Sequence, residues 1–337
     1  MRILCIDGPY FINAFRQLGH QTLSVGTSGG LDVVLDKFLS LKGLQDVLTS
    51  RNFTPDVVLW SDTCQPPSVG GLEVLPWPTM AYSIDHYMNP WHVPYSATFD
   101  LALVAQRDYL PLFIREHPRP VLWLPLFCDP AYDQDPGLPR DIPVSFVGTL
   151  DAPTNPARRP FLEAFKRQAP LVTITGDYRP VFARSRLVLN QSAAGELNLR
   201  IFQAMACGAA VLTEDAGNGL RDLFIPGEHL LVYERGNAAS AAAKALNALA
   251  GTDIEAVARN GQREVLNLHT VTNRAQAILA QADRLLATKA HRARIAGAGD
   301  VRVRMATAYS ILALDEKLAL PERLRKFYLD LALDLRK

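Results

Sequence analysis

Asn198-Leu199-Arg200-Ile201-Phe202-Gln203-Ala204-Met205-Ala206-Cys207-Gly208-Ala209-Ala210-Val211-Leu212-Thr213-Glu214 reads as a short helix that stops at a glycine and runs straight into a buried strand. Ile201 and Met205 supply apolar packing from the helix, and Val211-Leu212 supplies it from the strand. The first turn instead carries Asn198 and Arg200. A short helix aimed at the end of a sheet, with these two residues at its N-terminus, suits a diphosphate. Its unpaired backbone N–H groups and the positive end of its dipole attract an anion, and Arg200 adds a forked donor. The stretch therefore points to a nucleotide-linked ligand, a nucleotide sugar above all.

The pattern on either side agrees with a sheet built of parallel strands. Residues 2–6, 22–25, 56–60, 101–104 and 121–124 are short continuous apolar runs, separated by helix-like segments at 10–18 and 35–48. Such runs indicate parallel strands covered on both faces, the doubly wound α/β arrangement. Between residues 125 and 143 the texture changes: Pro130, Pro136, Pro139 and Pro143 interrupt a polar stretch that reads as a linker. A second α/β series then begins with Val144-Ser145-Phe146-Val147-Gly148 and continues through a helix at 159–168, strands at 171–175 and 187–190, the opening stretch, and Leu230-Leu231-Val232. From residue 237 the chain is mostly helical, with segments at 238–250, 253–266 and 271–288. A basic stretch (His291, Arg292, Arg294, Arg302, Arg304) precedes helices expected at 305–318 and 321–335. The organisation read from the sequence is an N-terminal Rossmann-like domain (1–138), a C-terminal Rossmann-like domain (139–285) and a helical extension (286–337).

At 337 residues the chain is long for a single core and suits two domains. Its net charge of +1 gives no reason to expect bulk nucleic-acid binding. No apolar run reaches the roughly 20 residues a membrane-spanning helix needs. The N-terminal run reads as a first strand rather than a signal peptide, so a cytoplasmic protein is expected. Cys5, Cys64, Cys128 and Cys207 are widely spaced with no ligand pattern around them, which suits reduced thiols and no metal site.

Several stretches together resemble the GT-B glycosyltransferases, and most of all their CgeB-like (spore-maturation-protein-like) branch, related to glycosyltransferase family 4. They are Tyr82-Ser83-Ile84-Asp85-His86, the run from Phe99-Asp100 to Asp108-Tyr109, Trp123-Leu124-Pro125-Leu126, Val144-Ser145-Phe146-Val147-Gly148, the run from Arg184 to Tyr233, and His269-Thr270-Val271-Thr272-Asn273-Arg274. The likeness covers roughly residues 1–285. It implies two Rossmann-like domains facing a cleft. The C-terminal domain would grip a nucleotide sugar, the N-terminal domain would present the acceptor, and the transfer, of hexosyltransferase type, would need no metal or other cofactor.

Candidate residues follow from both readings. Asn198 and Arg200 would meet the diphosphate, with an N-cap and a surface arginine as the plain alternative. Gln203 stands where the family pattern usually has Glu; a ribose contact by its amide is set against a plain helix-surface residue. Gly148 precedes a short loop and then Arg158 and Arg159. The likeness implies a basic residue here that helps neutralise the departing diphosphate, and two arginines at a helix N-terminus oppose the dipole unless an anion is present, with a solvated pair as the plain alternative. Asp85 and His86, after an apolar strand-like run, are the acid/base candidates, with a turn cap as the structural alternative. Gly8 and Tyr10, at the first strand-to-helix turn, are acceptor-side candidates. Asp133-Gln134-Asp135 matches an Asp-x-Asp metal motif only superficially and reads as a solvated turn. The basic stretch reads as a solvated surface, with contact to anionic lipid or an acidic partner as the alternative. Two other functions stay open: a sugar-nucleotide epimerase or hydrolase, and a binding or scaffold protein that has lost catalysis, which the Gln203 departure favours.

Overall fold

Seven parallel strands form the first sheet: β1 (Arg2–Asp7), β2 (Gln21–Gly26), β3 (Val33–Val34), β4 (Val57–Ser61), β5 (Thr79–Ser83), β6 (Leu101–Val104) and β7 (Val121–Trp123). Five more form a second: β8 (Ile142–Val147), β9 (Val172–Ile174), β10 (Ser185–Asn190), β11 (Ala210–Glu214) and β12 (Leu231–Tyr233). The computed structural model describes residues 1–151 and 153–336. The chain divides into two units, one of residues 1–105, 109–124 and 275–337, the other of 106–108 and 125–274. Among the described residues no helix is long and apolar enough to cross a membrane.

In the first unit the strand order is β3-β2-β1-β4-β5-β6-β7. The chain reverses its direction of travel between β1 and β4, which pair in register from Ile3 with Val57 to Asp7 with Ser61. A reversal of this kind opens a crevice at the carboxyl ends of the two strands. β4 and β5 are buried along their whole lengths, which is why they read as unbroken apolar runs.

The C-terminal helices are part of this unit rather than a separate extension. Val301, Met305, Ala308, Tyr309 and Leu312 from helix Ala298–Leu314, and Tyr328 and Ala332 from helix Glu322–Asp334, share one core with Leu4, Ile6, Val58 and Trp60. The basic stretch is likewise not all solvated. Arg294 is fully buried, with Nε 3.1 Å from Asp100 Oδ1 and its two amino groups donating to the carbonyls of Leu72, Glu73, Leu75 and Trp77.

In the second unit the order is β12-β11-β10-β8-β9. Helices Arg158–Lys166 and Ala238–Ala250 contribute Phe161, Leu162, Phe165, Ala241, Ala242 and Ala245 to a core with Val144, Phe146, Leu187, Leu189 and Leu212. The expected linker at 125–143 is built into this unit. The Cys128 N–H donates to the His269 carbonyl, and the Cys128 carbonyl accepts from Val271 N–H. Arg274 donates to the carbonyls of Pro125, at 2.7 Å, and of Leu126, at 3.1 Å. Prolines mark this segment because it is irregular; its buried first part, residues 125–128, is nonetheless tied into the unit by these bonds, while residues 134–139 are exposed.

Candidate functional site

The opening stretch folds as read: helix Leu199–Ala206, a glycine at φ 77°, then β11. Asn198 has the extended backbone of an N-cap, yet its side chain makes no capping bond, and its buried Oδ1 has no partner among the described residues. The first turn is thus without a side-chain cap, although Ile201 N–H donates to the Asn198 carbonyl at 3.3 Å. Arg200 reaches back to the end of β8, where Nε donates to the Val147 carbonyl at 3.0 Å and Nη1 to Asn190 Oδ1 at 2.7 Å. Its guanidinium stacks 4.5 Å from the centre of the Phe146 ring, and that of Arg158 lies 5.5 Å from the same ring. Burial, then the Arg158 charge, lower the Arg200 pKa to about 10, so both cations persist together at neutral pH. Two like charges on one ring at a helix N-terminus form a ready anion site.

Gly148 is where this site needs a missing side chain: a Cβ there would lie 2.7 Å from Arg200 Nη2. Arg158 also donates to Gln191 Oε1 and to the Thr149 carbonyl. Arg159 faces the other way, into an exposed ion pair with Asp151. Consecutive helical residues point about 100° apart, so only one of the adjacent arginines joins the site.

The loop after β10 is held by two buried carboxylates. Glu214 accepts from Ser192 N–H and hydroxyl, and Glu196 accepts from the N–H groups of Ala193 and Ala194. Gln203, one turn beyond Arg200, donates from Nε2 to the Tyr178 hydroxyl at 3.0 Å. Tyr178 in turn donates to Asp133 Oδ1 at 2.6 Å, and Asp133 Oδ2 accepts from Asp129 N–H at 2.7 Å. Asp133 is therefore buried inside the unit, not in a solvated turn. Burial raises its pKa, while the Tyr178 and Asp129 bonds oppose that rise.

In the first unit the acceptor-side candidates gather where β1, β4 and β5 end. Gly8 has no room for a side chain, since a Cβ would lie 2.6 Å from Ser61 Cβ. Tyr10 is half-buried, and burial and the charges of Asp62, Cys64 and Asp85 raise its pKa. Asp85 is half-buried, and its carboxyl accepts from Cys64 Sγ and Tyr87 OH, both at 2.9 Å. Asp62 anchors this corner by accepting N–H bonds from Cys64, Ile84 and Asp85. Asp62, Cys64 and Asp85 each place a possible ligand atom within 4.8 Å of the others. Both Asp62 oxygens are already taken up by backbone donors, a poor starting point for holding a cation.

His86 departs from the expected role. It is 3 % exposed, edge-on to Tyr109 at 4.0 Å and Phe113 at 5.3 Å, and neither ring nitrogen has a partner among the described residues. Burial lowers its pKa to about 3, which makes it a weak base at neutral pH.

The family described as glycosyl transferase-like matches residues 158–280. No curated protein matches the chain in sequence. Solved structures match it in fold. A Rickettsia africae glycosyltransferase, 11% identical, covers 85% of this chain and 98% of its own with a TM-score of 0.64. The Anabaena protein HepE, solved with UDP and glucose, is 16% identical over 85% of this chain and 100% of its own, with a TM-score of 0.62. A sucrose-phosphate synthase from Thermosynechococcus elongatus, 11% identical, covers 86% and 100% with a TM-score of 0.61.

The fold is that of the GT-B glycosyltransferases.

Within this GT-B chain, Arg200, Arg158 and Gly148 meet at the carboxyl end of the second sheet, with Asn198 and Gln203 on the same short helix as Arg200, and Gly8, Tyr10 and Asp85 meet at that of the first. Arg159 joins neither group, and His86 is closed off among aromatic rings. The loop that opens at Asn190 was legible, because a polar, small-residue loop at the carboxyl end of an apolar strand is where such folds place their sites. The sequence reading gave no such role to Glu214, Asp133, Tyr178, Asp62 or Cys64; for Glu214 the same signal was available, since it closes an apolar strand.

Proposed function

We propose that the chain is a glycosyltransferase of hexosyltransferase type, in the CgeB-like branch, that takes a sugar from a nucleoside-diphosphate donor. The observation that carries this reading is the pair of guanidinium groups, Arg158 and Arg200, on one Phe146 ring beside Gly148 and the uncapped helix N-terminus. In a transfer of this kind negative charge builds on the departing diphosphate. Fixed cations and N–H donors stabilise it without reorganising. They supply the charge that a divalent cation supplies elsewhere, so the reaction is proposed to be metal-independent. Asp85, rather than His86, is left to orient or deprotonate an acceptor hydroxyl or amide, with Gly8 and Tyr10 beside it.

UDP is the first probe, since HepE was solved with it. By calorimetry the chain should bind UDP in the presence of EDTA, and Arg200→Ala should weaken binding at least tenfold, in line with loss of a charge-assisted contact worth roughly 1.5–3 kcal/mol. Unchanged affinity in the variant would remove the central claim. Incubating UDP-glucose without acceptor separates transfer from hydrolysis, because a hydrolase consumes the donor alone.

A further inference from the structure

Gln203, Tyr178 and Asp133 form a hydrogen-bond chain whose direction is set at its buried end. An Asp carboxylate only accepts. Asp133 accepts at both oxygens, from Tyr178 OH and from Asp129 N–H. Tyr178 has one proton and gives it to Asp133, so toward Gln203 it can offer only lone pairs. Gln203 must then present its amino group, and the bond observed is from Nε2 to the tyrosine oxygen. The orientation of a Gln amide is usually ambiguous between its oxygen and nitrogen; here the chain of donors permits one answer. The carbonyl oxygen Oε1 points away from Tyr178 and has no partner among the described residues.

The chain also runs beside the anion site. Gly148, which meets Arg200, donates its N–H to the Ile174 carbonyl and accepts at its own carbonyl from Thr175 Oγ1 at 3.2 Å. Tyr178 follows three residues later, and Gln203 lies on the same helix face as Arg200.

We propose that Asp133 and Tyr178 are positioning residues that lock the Gln203 amide with its oxygen outward, as a dedicated acceptor for a ribose hydroxyl of the donor nucleotide. The ligand in this proposal rests on the nucleoside-diphosphate reading above. The lock also explains why position 203 holds Gln. A Glu there would set two carboxylates against one tyrosine proton, whereas Gln leaves the negative charge at Asp133, two hydrogen bonds away.

The lock makes a reversal possible. With Asp133→Asn, the new amide can donate to the Tyr178 oxygen while its own oxygen keeps the Asp129 N–H, and Tyr178 can then donate to a Glu at 203. Thermal unfolding of the ligand-free chain should therefore show Gln203→Glu several degrees less stable than the parent, with Asp133→Asn added to it restoring most of the loss. Additive losses in the double variant would overturn the lock, whatever the protein binds. A second cycle tests the ligand. Tyr178→Phe should lower UDP affinity about tenfold and leave affinity for 2′,3′-dideoxyuridine diphosphate unchanged. Equal losses for both probes would mean that Tyr178 is merely structural and would overturn the ribose contact. If the parent chain binds no UDP, the donor reading and the ribose contact fall together, while the stability cycle still decides the lock.

Discussion

His86 shows how burial converts a plausible base into a stability element. Its ordinary pKa is near 6.5, and in the native chain burial holds it at about 3. Between those values the unfolded chain binds a proton that the native chain refuses. The contribution of neutral His86 is therefore complete above about pH 6.5 and is lost progressively as pH falls toward 3. At one proton, the loss between pH 6.5 and 5 is about 2 kcal/mol. Phe fits the same setting beside Tyr109 and Phe113 and carries no proton. His86→Phe should fold and should lose less stability than the parent between pH 7 and 5, as read by thermal unfolding. Parallel curves for the two proteins would contradict this account.

Among elements, the short helix His291–Ala296 depends on Arg294. That side chain bonds Asp100 and four backbone carbonyls inside the first unit, while Asp100 Oδ2 accepts from Thr79 N–H at 2.8 Å. Removing one partner of a buried pair leaves the other charged and alone, at a cost of about 3–5 kcal/mol. Arg294→Ala should therefore lower the urea midpoint sharply. Arg294→Lys should not recover it, because an ammonium cannot reproduce a five-donor fork.

The same residue marks the limit of what could be read from sequence. Helices Ala238–Ala250 and Val271–Thr288 were legible to the residue, because apolar periodicity and caps record them directly. So was the helix–glycine–strand unit with Arg200. Arg294 in a basic stretch and Asp133 in a proline-rich one looked solvated, because their burial is decided by backbone carbonyls and hydroxyls far away in the chain. Arg158 and Arg159 were indistinguishable for a related reason: only the helix phase, set by how Phe161, Leu162 and Phe165 pack, decides which of the two faces Phe146.

At the scale of the molecule, the question is whether residues 298–337 are an accessory or part of the first core. Val301, Met305, Tyr309, Leu312, Leu318 and Tyr328 are each under 9 % exposed and pack against the face of the first sheet that carries Leu4, Ile6, Val58 and Trp60. Burial of a large apolar side chain contributes roughly 1.5–3 kcal/mol. Six of them together amount to about 9–18 kcal/mol, comparable to the whole stability of a typical domain. An accessory helix pair could be deleted with little effect. Here deletion after Thr288 also strips Arg294 from Asp100, leaving a bare apolar sheet face and an unpaired buried carboxylate. The truncated chain should aggregate or bind a hydrophobic dye strongly, and its unfolding should lose the transition assigned to the first unit. The second unit keeps its own core around Phe146, Leu189 and Leu212, so a separate transition and its response to UDP should survive the deletion. A truncated chain that unfolds like the parent would show that the sheet is covered without these helices, and the core described for the first unit would have to be redrawn.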